Sequence, residues 1–479
     1  MGSKSKVFQG IIWSSIQRFG TMIISFIANL ILARILTPNE FGLVGMLMFF
    51  IALANILIDS GLGSAIIQKK DSTSKDYSTV FTINLILSVL IYVALYCSAP
   101  LISEFYGIEQ LSPILRIEGI MLFGNALCLV QTSILRKELR FKKLSCINLI
   151  ANAAGAILGI SLALYGFGVW SLVYRTVSIS IITACGLWTT TEWKPRITIS
   201  WESFKELFGF GGFMLLSSLV TTSTKNVQNL IIGKYYGQSS LGYVTQAQSL
   251  RNMVADSISS VISQVLYPDY SNNQNNNSEM IRKLNTGVYI ISFYTVAIIA
   301  LMITIAEPLI LFLYGEKWIA AVPFFKILCV GGIFYSLQDI NFFIVAAKGK
   351  SRLLLISNVL LLIFLTSALV VSGMTSGITV MVWCIALNSL IAYMLYAILA
   401  TRILDTKISN QLSSLLKSLS SSIIPYLIAA GMSLCFNFSR LSNIVEIVLI
   451  AIIFITVFMV QNMILKPMPY KYVLNIIRK

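Results

Sequence analysis

The sequence predicts an all-α protein that crosses a membrane many times, and three observations support this. Hydrophobic residues make up 57% of the 479 residues and charged residues only 11%, whereas soluble domains carry about 25% charged residues. The apolar residues form runs long enough to span a bilayer, which takes about 20 residues per helix. None of these runs alternates as a strand would. An ordinary soluble enzyme, a disordered chain and a collagen-like chain are therefore excluded.

The apolar runs define the predicted helices, and polar breaks separate them. We expect about 14 spans, because each run is near the length that a spanning helix requires. The runs are 8–35, 41–68, 78–99, 112–135, 144–165, 168–190, 207–233, 240–266, 285–306, 320–347, 353–372, 377–401, 418–437 and 443–465.

Basic residues are distributed unevenly between the connecting segments. With the N-terminus placed in the cytoplasm, most of the 35 Lys and Arg residues fall in cytoplasmic segments. The external loops and their edges hold only Arg34, Arg116, Lys234, Lys317, Lys326 and Arg440. This bias follows the positive-inside rule, so both termini are expected in the cytoplasm. The net charge of +16 is then explained by topology, and no nucleic-acid partner is expected.

A faint internal repeat has an offset of 200 residues. The segment N-L-I-L-A-R-I-L-T-P-N-E-F-G-L-V from Asn29 resembles N-L-I-I-G-K-Y-Y-G-Q-S-S-L-G-Y-V from Asn229. Six predicted spans separate the two starts, so both copies cross in the same direction. We therefore predict two six-helix lobes, residues 1–199 and 200–410, followed by two extra helices and a cytoplasmic tail in residues 411–479.

The first helix of each lobe carries a polar stripe at helical spacing. Packing between helices explains small polar residues on such a stripe. An ionised residue within the membrane costs about 2.5–3.5 kcal/mol on insertion scales, so Arg18 and Lys225 favour a water-filled cavity between the lobes. The stripes consist of Ser14, Arg18, Thr21, Ser25 and Asn29 in the first lobe, and of Ser218, Thr221, Thr222, Lys225 and Asn229 in the second.

Five further charged residues lie within predicted spans: Asp59, Arg175, Arg251, Asp256 and Asp339. Arg251 and Asp256 are about 140° apart around one helix, so they should not pair with each other directly. Basic residues outnumber acidic ones near mid-membrane, and a cationic cavity suits a phosphate or pyrophosphate. Structural ion pairs or snorkelling remain the alternative for each residue.

Several kinds of chemistry have no motif in this sequence. Histidine is absent, and no cysteine belongs to a C-x-x-C pair, so no metal site is expected. There is no P-loop, no nucleophile elbow and no H-E-x-x-H motif. We expect no catalytic residue and no cofactor. Transport energy would come from an ion gradient, the membrane potential or the substrate gradient.

Several stretches together resemble a known family of bacterial polysaccharide exporters and flippases, of the lipopolysaccharide and colanic-acid exporter type. This family belongs to the superfamily that also contains the lipid II flippase and the multidrug and toxic compound extrusion transporters. The stretches are G-I-I-W-S-S-I-Q-R-F-G (Gly10–Gly20), L-A-R-I-L-T-P-N-E-F-G-L-V-G-M (Leu32–Met46), D-S-G-L-G-S-A-I-I-Q (Asp59–Gln68), L-R-K-E-L-R-F (Leu135–Phe141), G-V-W-S-L-V (Gly168–Val173) and L-G-Y-V-T-Q-A-Q-S-L-R (Leu241–Arg251).

The resemblance implies a fold, a substrate and a location. The fold is two six-helix lobes around a central cavity, with 14 spans in this branch. The substrate is an undecaprenyl-pyrophosphate-linked oligosaccharide, such as an O-antigen, capsule or exopolysaccharide repeat unit. Alternating access would move it from the cytoplasmic to the external leaflet of the bacterial cytoplasmic membrane. The expected partners are this lipid-linked oligosaccharide, membrane lipids and a polysaccharide polymerase complex, with the chain itself monomeric.

The same resemblance suggests roles for the charged residues. Arg18, Arg175, Lys225 and Arg251 would contact the pyrophosphate or acidic sugars. Asp59, Asp256 and Asp339 would pair with these cations or carry a coupling proton. The choice between proton and sodium coupling stays open, because no motif identifies an ion site.

Two other functions are compatible with parts of the sequence. An exporter of drugs or small cations, from the related multidrug branch, should have a cavity richer in acids than in bases. A membrane enzyme such as an O-antigen polymerase or ligase should have a sizeable external loop, whereas the predicted external loops are short. The longest is about 15 residues, near 306–320.

Overall fold

The computed structural model describes residues 3–435 and 442–477, apart from a few side chains within these ranges. The described residues form 17 α-helices and one 3-10 helix (Glu316–Trp318), and they contain no strand. The helices are α1 (Ser3–Ile35), α2 (Pro38–Asp59), α3 (Leu62–Gln68), α4 (Ser74–Tyr106), α5 (Leu111–Glu118), α6 (Met121–Lys137), α7 (Phe141–Leu164), α8 (Val169–Thr190), α9 (Trp201–Asn272), α10 (Asn277–Thr304), α11 (Ala306–Tyr314), α12 (Ala321–Ala347), α13 (Ser351–Thr375), α14 (Ile378–Leu404), α15 (Ser409–Cys435), α16 (Asn443–Leu465) and α17 (Met468–Ile477).

The predicted all-α, many-span fold is confirmed, although the predicted count of 14 spans is not. Within the described ranges, 12 helical segments are long and apolar enough to cross a membrane. A thirteenth is counted if Trp201–Gly209 and Met214–Ser259, which meet at 54°, form one span. Both belong to α9, which takes up the predicted spans 207–233 and 240–266 and has a non-helical residue at Gly237 (φ 75°, ψ −177°). Arg440 and the end of the predicted span 418–437 lie outside the described residues.

Two predicted spans are each broken into two helices. The span 41–68 divides between α2 and α3, where Ser60 and Gly61 adopt left-handed backbone angles (φ 49° and 68°). The span 112–135 divides between α5 and α6, on either side of Gly119 and Ile120. The predicted loop near 306–320 likewise contains α11 and the 3-10 helix. Hydrophobicity alone does not reveal the breaks in the two spans, because Pro38–Gln68 and Leu111–Lys137, each taken whole, are still apolar enough to cross a membrane.

The chain forms two compact units, residues 1–242 and 243–479. The first contains α1 to α8 and the part of α9 up to Gly242, and the second contains the remainder. The predicted lobes 1–199 and 200–410, with the extension 411–479, were derived from the repeat and stay a prediction.

Hydrogen bonds between polar side chains join the helices of the first unit. The amide of Asn125 on α6 donates to the Asn55 side-chain oxygen on α2 over 2.7 Å. The Ser180 hydroxyl on α8 donates to Asn125 over 3.0 Å. Apolar side chains are equally well buried against lipid and against another helix, so they do not fix how two membrane helices pack. Hydrogen bonds between polar side chains do fix it.

The segment between α8 and α9 is tied to the N-terminal end of α4. The Ser200 backbone amide donates to the Thr79 hydroxyl over 3.0 Å. Just inside α9, Glu206 pairs with Lys69 at 2.8 Å, and Lys69 also lies 3.2 Å from Asp76 on α4. These bonds fix where α9 starts relative to the preceding helices.

A reciprocal glycine contact joins α2 to the middle of α9. A Cβ on Gly42 would overlap the backbone carbonyl of Gln238, and a Cβ on Gly242 would overlap the backbone carbonyl of Pro38. The first contact joins positions 42 and 238, and the second joins positions 242 and 38, so corresponding positions are 200 residues apart. The repeated segments therefore meet in a self-complementary way, as the surfaces of a two-fold dimer do.

The second unit is held by a buried amide pair. Asn341 on α12 and Gln411 on α15 donate to each other over 3.1 and 3.0 Å. The Tyr393 hydroxyl on α14 also donates to Gln411, over 3.3 Å. All three side chains are buried, so the network satisfies groups that lipid could not.

Replacing Gly42 with alanine should destabilise the fold. The new methyl group has no room against Gln238, and overpacking of this kind costs about 1–3 kcal/mol. We expect a lower melting temperature for Gly42→Ala than for the wild type in detergent. The control is Gly431→Ala in α15, where a Cβ meets nothing within 4 Å and alanine should maintain or raise stability. Equal melting temperatures for Gly42→Ala and the wild type would show that the glycine contact does not contribute to the stability of the fold.

Candidate substrate-binding site

The two predicted polar stripes lie on α1 and on the first half of α9, both in the first unit. Arg18 and Lys225 are exposed, whereas Ser25 and Asn29 are half-buried. The hydroxyls of Thr21 and Thr221 donate within their own helices, to Gln17 at 2.8 Å and to Ser217 at 2.9 Å. These two hydroxyls are thus already bonded, and the exposed members of the stripes are Ser14, Arg18 and Lys225.

Asn229 differs from the rest of its stripe because it is buried. Its amide lies 3.8 Å from the Met48 sulfur on α2. Beside it, the Tyr106 hydroxyl on α4 is 3.4 Å from the carbonyl of Met46 and 3.5 Å from that of Leu230. Asn229 therefore contributes to the packing between α2 and α9, which is the role that small polar residues usually have in membrane helices.

Arg175 on α8 lies against two glycines of α7. A Cβ on Gly159 would come within 2.9 Å of the Arg175 Cβ, and a Cβ on Gly155 within 3.2 Å of the Arg175 carbonyl oxygen. The G-A-I-L-G spacing at 155–159 lets the two helices approach closely. The sequence analysis identified Arg175 but missed these glycines, although two glycines four residues apart are typical of close contact between membrane helices.

Arg251, in the second unit, is buried, with only 4% of its surface exposed. Its guanidinium carbon lies 4.9 Å from the ring centroid of Tyr335 on α12. The Tyr335 hydroxyl donates to the Asp256 carboxylate over 3.3 Å. The guanidinium Nε and one terminal nitrogen have no hydrogen-bond partner, so two N–H donors remain for an anion.

Tyr335 thus contacts two charged residues, Arg251 and Asp256, which lie five positions apart on α9. The prediction that Arg251 and Asp256 do not pair with each other directly stays a prediction. The ring of Tyr335 contacts the cation and its hydroxyl contacts the carboxylate. No sequence signal indicated Tyr335, because it comes from a helix about 80 residues further along the chain.

The other two predicted acids occupy different settings. Asp59 ends α2, and the Gly63 amide in the first turn of α3 donates to its carboxylate. A carboxylate is stabilised at such a helix start. Asp339 is half-buried on α12, one turn beyond Tyr335. Of the predicted charges, the structure connects Arg251 with Asp256; substrate binding by any of these residues stays a prediction.

Metal ligation was also considered for the described part of the chain. No group of three or more Cys, Asp or Glu side chains there is arranged to hold a metal ion.

Substitutions of Tyr335 should separate its two contacts. Tyr335→Phe keeps the ring beside Arg251 and loses the hydrogen bond, at a cost of about 0.5–1.5 kcal/mol. Tyr335→Leu also loses the cation–π contact, which adds about 1–2 kcal/mol at a desolvated site. We expect melting temperatures in detergent to fall in the order wild type, Tyr335→Phe, Tyr335→Leu. Equal values for the two variants would show that the ring does not stabilise Arg251.

Several bacterial proteins of surface-glycan synthesis are similar in sequence. The teichuronic acid biosynthesis protein TuaB of Bacillus subtilis is 27% identical over 434 residues, which covers 90% of this chain and 88% of that protein. The lipopolysaccharide biosynthesis protein WzxC of Escherichia coli is 23% identical and covers 79% and 77%. The succinoglycan biosynthesis transport protein ExoT of Rhizobium meliloti is 24% identical and covers 66% and 64%.

Solved structures share the fold at lower identity. The lipid II flippase MurJ in an inward closed conformation matches with a TM-score of 0.74 at 17% identity, over 95% of this chain and all of that one. An inward-facing transporter of the multidrug resistance MATE family matches with a TM-score of 0.63 at 17% identity, over 83% and 98%.

The family described as polysaccharide biosynthesis protein matches residues 31–323, which is more than half of the chain. This match covers the second repeated segment, all but the first two residues of the first, and three of the four predicted basic site residues, Arg175, Lys225 and Arg251. Together with the fold, it supports the resemblance that the sequence motifs indicated. The chain is a multi-pass membrane protein that belongs to the polysaccharide biosynthesis protein family.

Proposed function

We propose that the protein is a flippase for an undecaprenyl-pyrophosphate-linked oligosaccharide, the repeat unit of a surface glycan. It moves this lipid from the cytoplasmic to the external leaflet of the bacterial cytoplasmic membrane by alternating access. The names of its relatives, which refer to teichuronic acid, succinoglycan and lipopolysaccharide, support a surface glycan as the cargo. The likeness to a lipid II flippase supports a lipid-linked form of it.

The observation that carries the proposal is the set of basic side chains inside helices of spanning length. Arg18 and Arg175 lie within segments apolar enough to cross a membrane, and Lys225 and Arg251 lie in Met214–Ser259, which counts as part of a span together with Trp201–Gly209. A cation there is costly unless it faces water, a partner or an anionic substrate. Arg251 keeps two unbonded N–H donors beside Tyr335, and Lys225 and Arg18 are exposed. We assign these groups to the pyrophosphate or to acidic sugars.

The remaining features follow from the same proposal. Both termini lie in the cytoplasm, since the basic residues concentrate on that side. The protein works as a monomer, with membrane lipids around it and a polysaccharide polymerase complex as the recipient of its product. It needs no cofactor. Asp256 and Asp339 pair with cations or carry a coupling proton, and coupling to sodium is the other option.

Drug or small-cation export is the second candidate, and one observation favours it: the MATE-family structures share the fold. A site for cations should present more carboxylates than cations. Of the seven charged residues that the sequence analysis assigns to the site or to coupling, four are basic and three, Asp59, Asp256 and Asp339, are acidic, and Asp59 is already used at the start of α3. The charge balance therefore favours an anionic cargo.

Removing the charge of Lys225 tests the proposed site. In a strain that lacks the wild-type gene, Lys225→Ala should restore surface glycan to about one tenth of the wild-type rate or less, because a charged hydrogen bond contributes about 1.5–3 kcal/mol. The amount of membrane-inserted protein should stay the same. Lys70→Ala, at an exposed position outside the spans, serves as the control and should export normally. Normal export by Lys225→Ala would remove this residue from the site.

A further inference from the structure

A cavity in the first unit lies where three helices begin. It has a volume of about 310 Å³ and is lined by Glu40, Gln110, Pro113, Ile114, Phe167 and Trp170, together with the loop glycines Gly166 and Gly168. α2, α5 and α8 all start here. In the topology proposed above, each of these helices follows an external loop. The cavity therefore faces the outside of the cell and is separate from the charged residues within the spans.

Two sequence motifs converge on this cavity. Glu40 belongs to L-T-P-N-E-F-G (Leu36–Gly42), and Gly168 and Trp170 belong to G-V-W-S-L-V (Gly168–Val173). The motifs are more than 120 residues apart in sequence, yet a Cβ on Gly168 would lie 2.5 Å from a Glu40 carboxylate oxygen. Neither motif contributes a residue to the polar stripes or to the group formed by Arg251, Asp256 and Tyr335. Their meeting point has no role in the function proposed so far.

The Glu40 carboxylate is held in a fixed orientation at the cavity. One oxygen, Oε2, accepts from the Thr37 backbone amide at 2.6 Å and from the Thr37 hydroxyl at 2.8 Å. The other oxygen, Oε1, faces Gly168, whose φ of 54° also favours glycine. The local backbone therefore places one carboxylate oxygen at the wall of the cavity and keeps the other occupied.

The remaining lining combines aromatic faces with a free amide. Phe167 is 50% exposed, and Trp170 lies beside Tyr174, with ring centroids 6.0 Å apart. Gln110 starts α5 without a side-chain capping bond. An amide and a carboxylate supply donors and acceptors for hydroxyl groups, while aromatic rings offer flat apolar surface to the C–H face of a sugar ring.

The charge of the cavity selects against phosphate. None of the residues that line it is basic, and its one ionisable residue is the carboxylate of Glu40. An anion would be repelled there. The volume is at the lower end of the range of about 300–1,000 Å³ found for small-molecule pockets. It suits one sugar unit better than a whole oligosaccharide.

We infer that this cavity binds a neutral sugar unit of the oligosaccharide on the external side of the membrane. The inference rests on the proposed function for its location and for the source of the sugar. Its ligand chemistry rests on the side chains alone. The alternative is that Phe167 and Trp170 only anchor the protein at the membrane surface, where aromatic residues are common.

Binding of a soluble sugar tests the inference. The probe is the neutral repeat-unit oligosaccharide released by mild acid from the surface glycan of the host, without lipid or phosphate. Calorimetric titration into the full-length protein in detergent should show saturable binding. Trp170→Ala and Gln110→Ala should each weaken it about tenfold. Trp201→Ala, which changes an exposed tryptophan at the start of α9, should bind like the wild type.

The outcomes separate this inference from the proposed function. Absence of binding to the wild type, or equal affinity in Trp170→Ala and Trp201→Ala, would overturn the sugar site even if the protein proves to be a flippase. A Trp170→Ala variant that melts like the wild type but loses the sugar would support it and would exclude a purely structural role. If the protein binds the sugar but deletion of its gene leaves surface glycan intact, the sugar site is supported. In that case only the proposed flippase function is contradicted.

Discussion

The close contact between α2 and α9 at two glycines is the constraint on which the first unit depends. Gly42 leaves room for the backbone carbonyl of Gln238, and Gly242 leaves room for that of Pro38. A side chain on either glycine would overlap the carbonyl. Near them, the Asn39 and Ser239 side chains are hydrogen bonded, again 200 residues apart. The contact fixes the register of α2 against α9, since a shift of even one residue would bring a side chain against the carbonyl. It thereby places Asn229 beside Met48 and sets the start of α2, where Glu40 lies.

The sequence predicts the helices well because a membrane imposes a simple rule on them. Apolar length alone located the spans in α7 and α8 to within three residues, whereas α4 (Ser74–Tyr106) starts four residues before and ends seven residues after the predicted span 78–99. The offset of 200 residues also has a structural counterpart, since positions 38 and 42 meet positions 242 and 238. The gap predicted between the spans 207–233 and 240–266 falls at Gly237, although α9 continues on both sides of it.

The candidate site was less predictable, for a physical reason. Spacing along one helix shows which side chains share a face, but it cannot show what a second helix brings to them. The sequence identified Arg251 and Asp256 as charged residues of one helix, yet Tyr335 was missed because it comes from α12. The exposed Lys225 and the buried Asn229 belong to one predicted stripe, and only packing against α2 distinguishes them. The motif L-T-P-N-E-F-G was interpreted as a mark of the fold, and its glutamate also borders a cavity.

We assign two kinds of surface to two parts of one cargo. The cations within the spans would bind the pyrophosphate, and the cavity with aromatic rings and the Glu40 carboxylate would bind a sugar. The central claim is that the protein moves the assembled lipid-linked unit across the membrane. The most direct measurement is the leaflet on which undecaprenyl-linked oligosaccharide lies in a deletion strain of the native host, probed with a lectin or glycosidase that cannot cross the membrane. The account predicts complete units trapped on the cytoplasmic side, with surface glycan lost. Normal outward delivery with full surface glycan would contradict it.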